Sequence, residues 1–515
     1  MNGAESLVRS LLAGGVDVCF TNPGTSEMHF VAALDHVPGM RCSLCLFEGG
    51  VTGAADGYYR IAGKPAATLL HLGPGLANGA SNLHNARKAR SGIVNIVGEH
   101  ARDHIAHDAP LTSDIEGLAR PVSDWVRTSR SAKEVGRDGA TAITVARTAP
   151  GQVATLILPG DTAWNDGGAI VEAEPAAVPT IVDAPTVSAA AKAVRDARKP
   201  AVLLGGSGVH EAQLTAAGRI AEATGADLIA EWANARMERG AGRVPIRRIP
   251  YVVDLAVAML APYDTIILVG ARPPVAFFAY PDKPSVLTAP GTRFVTLASS
   301  ADDTLAALTS LADALDAPGA DVVAKAPLAR PELPSGPLNH ETLAAVIGHH
   351  IPDNAIIVDE SISIGRDFFA RTETSAPHTW INNLGGSIGY GLPVATGAAM
   401  AAPDRKVIAL EGDGSAMYTV QSLWTLAREN LDVTVIIFAN RAYEILRGEL
   451  ANVGVQNPGP RAIDMMSLTR PNLGWLDLAR GMGVTGQSVQ DCEGLSAALA
   501  AGIAHEGPYL IEAVI

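Results

Sequence analysis

The feature that most constrains this chain is an alternation that runs its whole length. Short apolar runs such as VDVCF, RCSLCLF, ATLLHL, GIVNIVG, PAVLLGG, DTIILVG, RFVTL, AIIVDE, KVIALEGDG and VTVIIFAN alternate with Ala-rich stretches such as ESLVRSLLAG and TVQSLWTLAREN. Runs this short, apolar throughout and closed by Gly, Asn, Asp or Glu, read as parallel strands buried on both faces. Strands separated by helices imply an α/β fold with parallel sheets. Two stretches break the pattern. Residues 165–186 are rich in Ala and Pro, and residues 316–338 hold five prolines, so neither continues a helix or a central strand. The expected units are therefore 1–165, 186–316 and 338–515. In open parallel sheets, ligands bind beyond the carboxyl ends of the strands. The functional residues should follow the apolar runs.

Composition removes several function classes. The chain of 515 residues has a formal net charge of −14, which argues against a nucleic-acid partner, since that needs a basic footprint. A hydrophobic content of 48% with 18% charged residues supplies large cores and excludes a mostly disordered chain. Four cysteines make no disulfide framework. Cys42 and Cys45 have C-x-x-C spacing but no second pair follows, so a buried structural strand is the reading. No run of apolar residues is long enough to span a bilayer. The opening stretch MNGAESLVRSLLAGG lacks a signal-peptide core, so a cytoplasmic location is expected.

The most informative motif lies in the last third. The run KVIAL leads into Glu411-Gly412-Asp413-Gly414-Ser415, and 27 positions beyond Asp413 the run VTVIIFAN ends at Asn440. One strand-helix-strand crossover separates the two, so adjacent parallel strands would bring both side chains to one sheet edge. A carboxylate and an amide oxygen suit Mg²⁺ holding a diphosphate. Glycines let the backbone approach phosphate, and Ser415 is expected to open a helix whose N-terminus favours anions. A lone GDG is more often a tight turn; GDGS followed by Asn at this spacing is far more specific.

These residues resemble the thiamine diphosphate (ThDP) enzymes of the benzoylformate decarboxylase, pyruvate decarboxylase and acetolactate synthase group, whose signature is GDG followed by NN. Here the first Asn is Ala439. The resemblance implies three doubly wound parallel-sheet domains: pyrimidine-binding (PYR), middle, and diphosphate-binding (PP). It also implies Mg²⁺ ligation by Asp413, Asn440 and the backbone carbonyl of Ala442. Ser363, Gly414, Ser415 and Tyr443 would border the diphosphate. In LGGSIGYGLP, Gly386 would accept the 4′-amino group of ThDP and Ile388 would hold its bent conformation. RCSLCLF is followed by Glu48 and GGVTGAADGYYR, similar to the family's strand-end Glu and ADGYAR helix. By itself Glu48 could equally be a helix N-terminal charge. In the family this Glu hydrogen-bonds N1′ of the aminopyrimidine and promotes loss of the thiazolium C2 proton, and a buried carboxyl is expected for that role. NPGTSEMHF places Thr25 at the substrate, and His71 after ATLL matches the active-site histidine of benzoylformate decarboxylases.

The resemblance covers the whole chain but is weak on substrate. RPPVAFFAY (272–280) lacks the second histidine of benzoylformate decarboxylases, with Phe277 or Phe278 in its place. Leu446 stands at the catalytic Glu of pyruvate decarboxylases, and their His-His pair is absent. His104 or His107, beside His100 in a His-rich loop, could be the missing acid/base, or that loop could simply be solvated. Leu111, Phe277, Phe278, Ile445 and Leu446 are the expected pocket walls, with Glu449 one turn away. Arg441, Glu444 and Arg447 could hold a carboxylated substrate or form surface ion pairs. GGSG (205–208) is no dinucleotide fingerprint, and no FAD is expected. The implied activity is ThDP- and Mg²⁺-dependent decarboxylation or carboligation of 2-oxo acids. The alternatives are an acetolactate synthase proper and a non-catalytic ThDP-binding relative. In the family ThDP sits between subunits, so a homodimer at minimum, extended to a homotetramer, is expected.

Overall fold

The computed structural model describes residues 1–515 and contains three sheets. The first is wholly parallel, in the order Arg41–Leu44, Val18–Asn22, Ala66–Leu70, Ile93–Glu99, Val153–Pro159, Trp125–Thr128. Its central strands Ile93–Glu99 and Val153–Pro159 are buried at every position, as a continuous apolar run demands. The edge strand Arg41–Leu44 departs from expectation. Cys42 is exposed there and Cys45, just beyond the strand, is buried, because an edge strand has one neighbour and an open flank.

The second sheet is also parallel: Arg247–Arg248, Asp227–Ala230, Pro200–Leu204, Thr265–Val269, Arg293–Ala298. The third has six parallel strands, Thr485–Val489, Tyr509–Val514, Val433–Ala439, Val407–Gly412, Ala355–Glu360 and His378–Asn382. A seventh strand, Met237–Arg239, joins this sheet antiparallel to His378–Asn382. It comes from the segment expected to be the middle domain, so the third sheet is mixed and the two units share a ladder. Arg239 of that strand is fully buried, with its guanidinium 3.8 Å from the Phe369 ring centre. Arg248 lies 4.5 Å from the same ring.

Two further contacts fix the units to one another. The Pro-rich stretch at 316–338 is a strap, not a free linker: Val323 and Ala326 are buried, and the Ala326 N–H donates to the Arg243 carbonyl at 2.8 Å. Helix Glu48–Ala62 of the first unit crosses helix Gly391–Ala401 of the third at glycines. A Cβ on Gly57 would stand 2.1 Å from the Val394 carbonyl oxygen, and one on Gly397 1.8 Å from that of Ala54, so the backbones touch. Within the crossing, buried Arg60 donates twice to Asp56 and once, at 2.7 Å, to the Asn382 carbonyl, which leaves neither charge unpaired.

Each sheet has a central switch point where successive connections run to opposite sides, between Val18–Asn22 and Ala66–Leu70, between Pro200–Leu204 and Thr265–Val269, and between Ala355–Glu360 and Val407–Gly412. The carboxyl-end crevices at these switch points are where such folds bind ligands.

Candidate active site

At the third sheet's switch point lies a cavity of about 50 Å³ lined by Ser363, Ile388, Asp413, Gly414, Ser415, Asn440, Ala442, Tyr443 and Ile445. Nine of the residues singled out from sequence thus meet in one place. Asp413 Oδ2 accepts the Arg441 N–H at 2.6 Å and Oδ1 accepts the Gly414 N–H at 2.9 Å. Burial nonetheless pushes its carboxyl up to about 6, against those two donors. Asn440 Oδ1 accepts the Ala442 N–H at 3.1 Å. No cluster of three His, Cys, Asp or Glu is present. The available donors are one carboxylate, one amide oxygen and a backbone carbonyl, a hard-oxygen set that suits Mg²⁺ rather than a thiophilic metal. An under-compensated buried carboxylate is what a divalent cation would relieve.

The walls of this cavity are tight. A Cβ on Gly414 would lie 2.4 Å from the Tyr443 ring. Ile362 and Arg441, at its rim, hold left-handed backbone angles of φ 53° and 57°. For a β-branched residue such as Ile that conformation is strained, and strain of this kind collects at binding sites. Ser415 does not open the long helix expected. A single turn, Asp413–Ala416, and a 3₁₀ turn come first, and the main helix is Ser422–Arg428. The Ser415 hydroxyl donates to the Gly412 carbonyl at 3.0 Å.

Behind the cavity sits a pair that sequence reasoning passed over. Glu360 and Glu411 are register partners on adjacent strands, both buried. Glu360 accepts the N–H groups of Gly389, Tyr390 and Gly391, yet burial pushes it up to about 7. Glu411 has no N–H or O–H donor for either oxygen. Burial, then the facing Glu360 charge, hold it well above the usual carboxylate range, so it keeps its proton and shares it with Glu360.

The first sheet's switch point gathers Thr25, Glu27 and His71. His71 caps helix Leu72–Ala89, and its Nδ1 lies 2.8 Å from Glu27 Oε2, which also accepts the Gly24 N–H. Gly24 is required, because a Cβ there would stand 2.1 Å from His71 Nδ1. Glu27 is 3% exposed, and burial raises its carboxyl despite the imidazole contact. Sequence reasoning missed Glu27; the signal was an acidic residue two positions after Thr25 in the same strand-end turn. Thr25 is exposed. Glu48 begins its helix and accepts a hydrogen bond from Asn78 Nδ2 at 3.0 Å. It is half-buried in the single chain, not enclosed as expected. Its Oε1 and the His71 Cβ both border Gly75, so the two residues lie close together.

Other expected positions fall elsewhere. Gly386, at φ 77°, packs under the Phe277 ring, outside the small cavity. Its loop is gripped by helix Leu72–Ala89 through Asn85 to Ser387 and His84 to the Gly385 carbonyl. Leu446 is 45% exposed and absent from the cavity wall, since it points away along the helix surface from Ile445. His104 and His107 are exposed and stack in a row with His100. Leu111 packs on the first unit's core. Glu444, which also lines the small cavity, pairs with Arg447 at 3.0 Å, which is the ion-pair alternative.

A larger cleft, about 860 Å³, opens at the second sheet's switch point. It is lined by the turns Gly206–Ser207 and Gly270, by Glu231, Trp232 and Arg272, and by Arg87 and Lys88 of the first unit. Burial pushes Glu231 up to about 7.

Residues 1–118 match the thiamine pyrophosphate enzyme N-terminal TPP binding domain, and residues 366–513 match the C-terminal TPP binding domain. The chain is 50% identical to the Mycobacterium tuberculosis protein named "Putative acetolactate synthase large subunit IlvX", covering 100% of this chain and 99% of that one. It is 31% identical to the benzoylformate decarboxylase of Pseudomonas aeruginosa, covering 97% and 96%. Among solved structures, the Rhodococcus jostii ThDP-dependent 4-hydroxybenzoylformate decarboxylase superposes with a TM-score of 0.84 at 26% identity, covering 100% and 99%. Both terminal domains and the full length agree: this chain belongs to the thiamine pyrophosphate enzyme family.

Proposed function

We infer that the chain is a ThDP- and Mg²⁺-dependent carbon-carbon lyase or carboligase acting on 2-oxo acids. The observation that carries this reading is the third-sheet cavity, where Asp413, Asn440 and Ala442 offer hard oxygen ligands and burial holds the Asp413 carboxyl above its ordinary value. Bound there, ThDP supplies the electron sink that lets a 2-oxo acid lose CO₂. The chain's own groups do the rest. Glu48 holds a proton at N1′ of the aminopyrimidine, Gly386 and Ile388 orient that ring, and the glycine-lined turn at Gly412–Ser415 receives the diphosphate. His71, fixed by Glu27, delivers or removes a proton at the substrate's former keto oxygen, and Thr25 donates to the same oxygen. Release as an aldehyde or capture of a second carbonyl then decides between lyase and ligase.

Glu48 and His71 lie on one unit and Asp413 on another, and the Glu48 edge is open in the single chain. A second copy closing that edge fits, so the working form is a homodimer at minimum, extended to a homotetramer, in the cytoplasm. No helix of the chain is long and apolar enough to cross a membrane.

The test is incubation with ThDP, Mg²⁺ and a panel of aliphatic and aromatic 2-oxo acids, with CO₂ and products followed by mass spectrometry. Turnover of at least one member is expected; neither CO₂ release nor carboligation across the panel overturns the reading. The 860 Å³ cleft, with the name carried by the M. tuberculosis relative, favours a second reading, an acetolactate synthase proper. A yellow protein with one FAD per chain would select it, and a colourless active protein would reject it.

A further inference from the structure

Helix Glu444–Asn452 follows directly on the cavity residues Asn440, Ala442 and Tyr443, and its own Ile445 lines the cavity. Yet no residue of this helix is buried. Hydrophobic burial therefore does not hold it in place, unlike the helices that flank the sheets. A polar contact ties it to the middle segment. The Tyr251 hydroxyl donates to Glu449 Oε1 at 3.4 Å. The Tyr280 phenol stands beside both groups. Burial, then the contact with Glu449, keeps the Tyr280 phenol above its ordinary range, so it stays a donor throughout the neutral region.

Tyr251 is itself packed within an aromatic group. Tyr251 lies with its ring centre 6.0 Å from that of Trp232 and 5.6 Å from that of Phe277. Trp232 and Phe277 meet edge to face at 5.2 Å, a favoured aromatic geometry. Phe277 in turn covers Gly386. One aromatic group thus touches the Gly386 loop on one side and, through the Glu449 carboxylate, the Ile445 helix on the other.

We propose that Glu449, held by the Tyr251 hydroxyl with Tyr280 beside it, is a positioning residue that latches helix Glu444–Asn452 to the middle segment and so sets the substrate side-chain end of the pocket. The proposal rests on the ThDP reading above for what the pocket holds. The latch itself is a property of the apo chain. Because no residue of the helix is fully buried, Glu449→Ala and the Tyr251→Phe/Tyr280→Phe double variant should both fold.

Hydrogen-deuterium exchange by mass spectrometry on the full chain without cofactor reads the latch directly. Exchange over 444–452 should rise about tenfold in both variants, the size expected for losing a hydrogen bond to a charged group. Glu449→Gln keeps an acceptor oxygen and should restore most of the protection. With substrate, KM should rise about tenfold while kcat and ThDP affinity stay within about twofold of the parent. Unchanged exchange in the double variant overturns the proposal, and so does a loss of protection spread across the whole third sheet or a parallel fall in ThDP affinity. If the parent turns over no 2-oxo acid, the functional reading fails while the exchange result still decides the latch.

Discussion

The carboxyl ends of the first and third sheets carry the same kind of chemistry but are built in opposite ways. The third-sheet edge is closed: Asp413 is buried, Tyr443 packs on Gly414, and an over-buried carboxyl pair stands behind it. The first-sheet edge is open: Thr25 is exposed and Glu48 half-buried, with only Glu27 sunk beneath His71. A binding cradle for a charged cofactor must be desolvated and pre-formed, since its ligands need fixed positions. Groups that exchange protons with a substrate must be reachable until another surface covers them. The single chain therefore encloses the proposed holding half of the site and leaves the proposed reacting half exposed.

Substitutions on the two edges should separate binding from turnover. The largest effect is expected at the open edge: Glu48→Gln should lower turnover about 1,000-fold, within the range for a lost acid-base group. Calorimetry should find its ThDP affinity within about twofold of the parent, and a rate equal to the parent's would remove Glu48 from the reaction. At the closed edge the pattern inverts. Asp413→Asn should weaken ThDP-Mg²⁺ binding about 100-fold, the scale of removing one partner from a buried charged contact. In the parent, the same affinity should fall about tenfold per pH unit below pH 6, because Asp413 must lose its proton to bind metal and its carboxyl sits at about 6. A flat titration between pH 5 and 7 contradicts that dependence.

Glu27→Gln tests whether the buried partner of His71 matters to the open edge. We expect kcat/KM to drop about 30-fold, the worth of a charge-assisted hydrogen bond, with ThDP affinity unmoved. The smallest effect belongs to the pair behind the closed edge. Glu360 and Glu411 are both raised above their unfolded values, so the folded state binds protons more tightly than the unfolded one. Stability therefore falls as pH rises from the ordinary carboxylate range through about 7. Glu411→Gln removes one titrating carboxyl and should flatten this decline. Its melting temperature should exceed that of the parent by about 3 °C at pH 8 and match it near pH 5; parallel curves would mean the two carboxyls do not share a proton.

What sequence revealed follows the same division. Asp413, Asn440, Glu48 and His71 each sit just after an apolar run, and strand ends in parallel sheets are where chemistry is exposed; their placement could be read from spacing. Glu27 escaped because its role depends on a contact 44 positions away with His71, which no local pattern encodes. Glu411 escaped because an acidic residue inside a strand run reads as a boundary, not as half of a buried pair. The three-residue strand Met237–Arg239 is too short to show any period, and its partner at His378–Asn382 lies far along the chain. The break of the long helix after Ser415 falls at Tyr418, Thr419 and Val420, whose helix propensity is only modestly poor and which include no Gly or Pro to mark a stop.

The strand Met237–Arg239 also bears on how the chain comes to be folded. It leaves the ribosome well before the strand it pairs with, so the nascent middle segment carries an unpaired edge. Unpaired edges invite pairing with other chains. A truncated product ending near residue 316 should therefore aggregate, and the three units should resist being expressed as separate pieces. The arrangement makes synthesis of the last third the step that renders the rest of the molecule safe in a crowded solution.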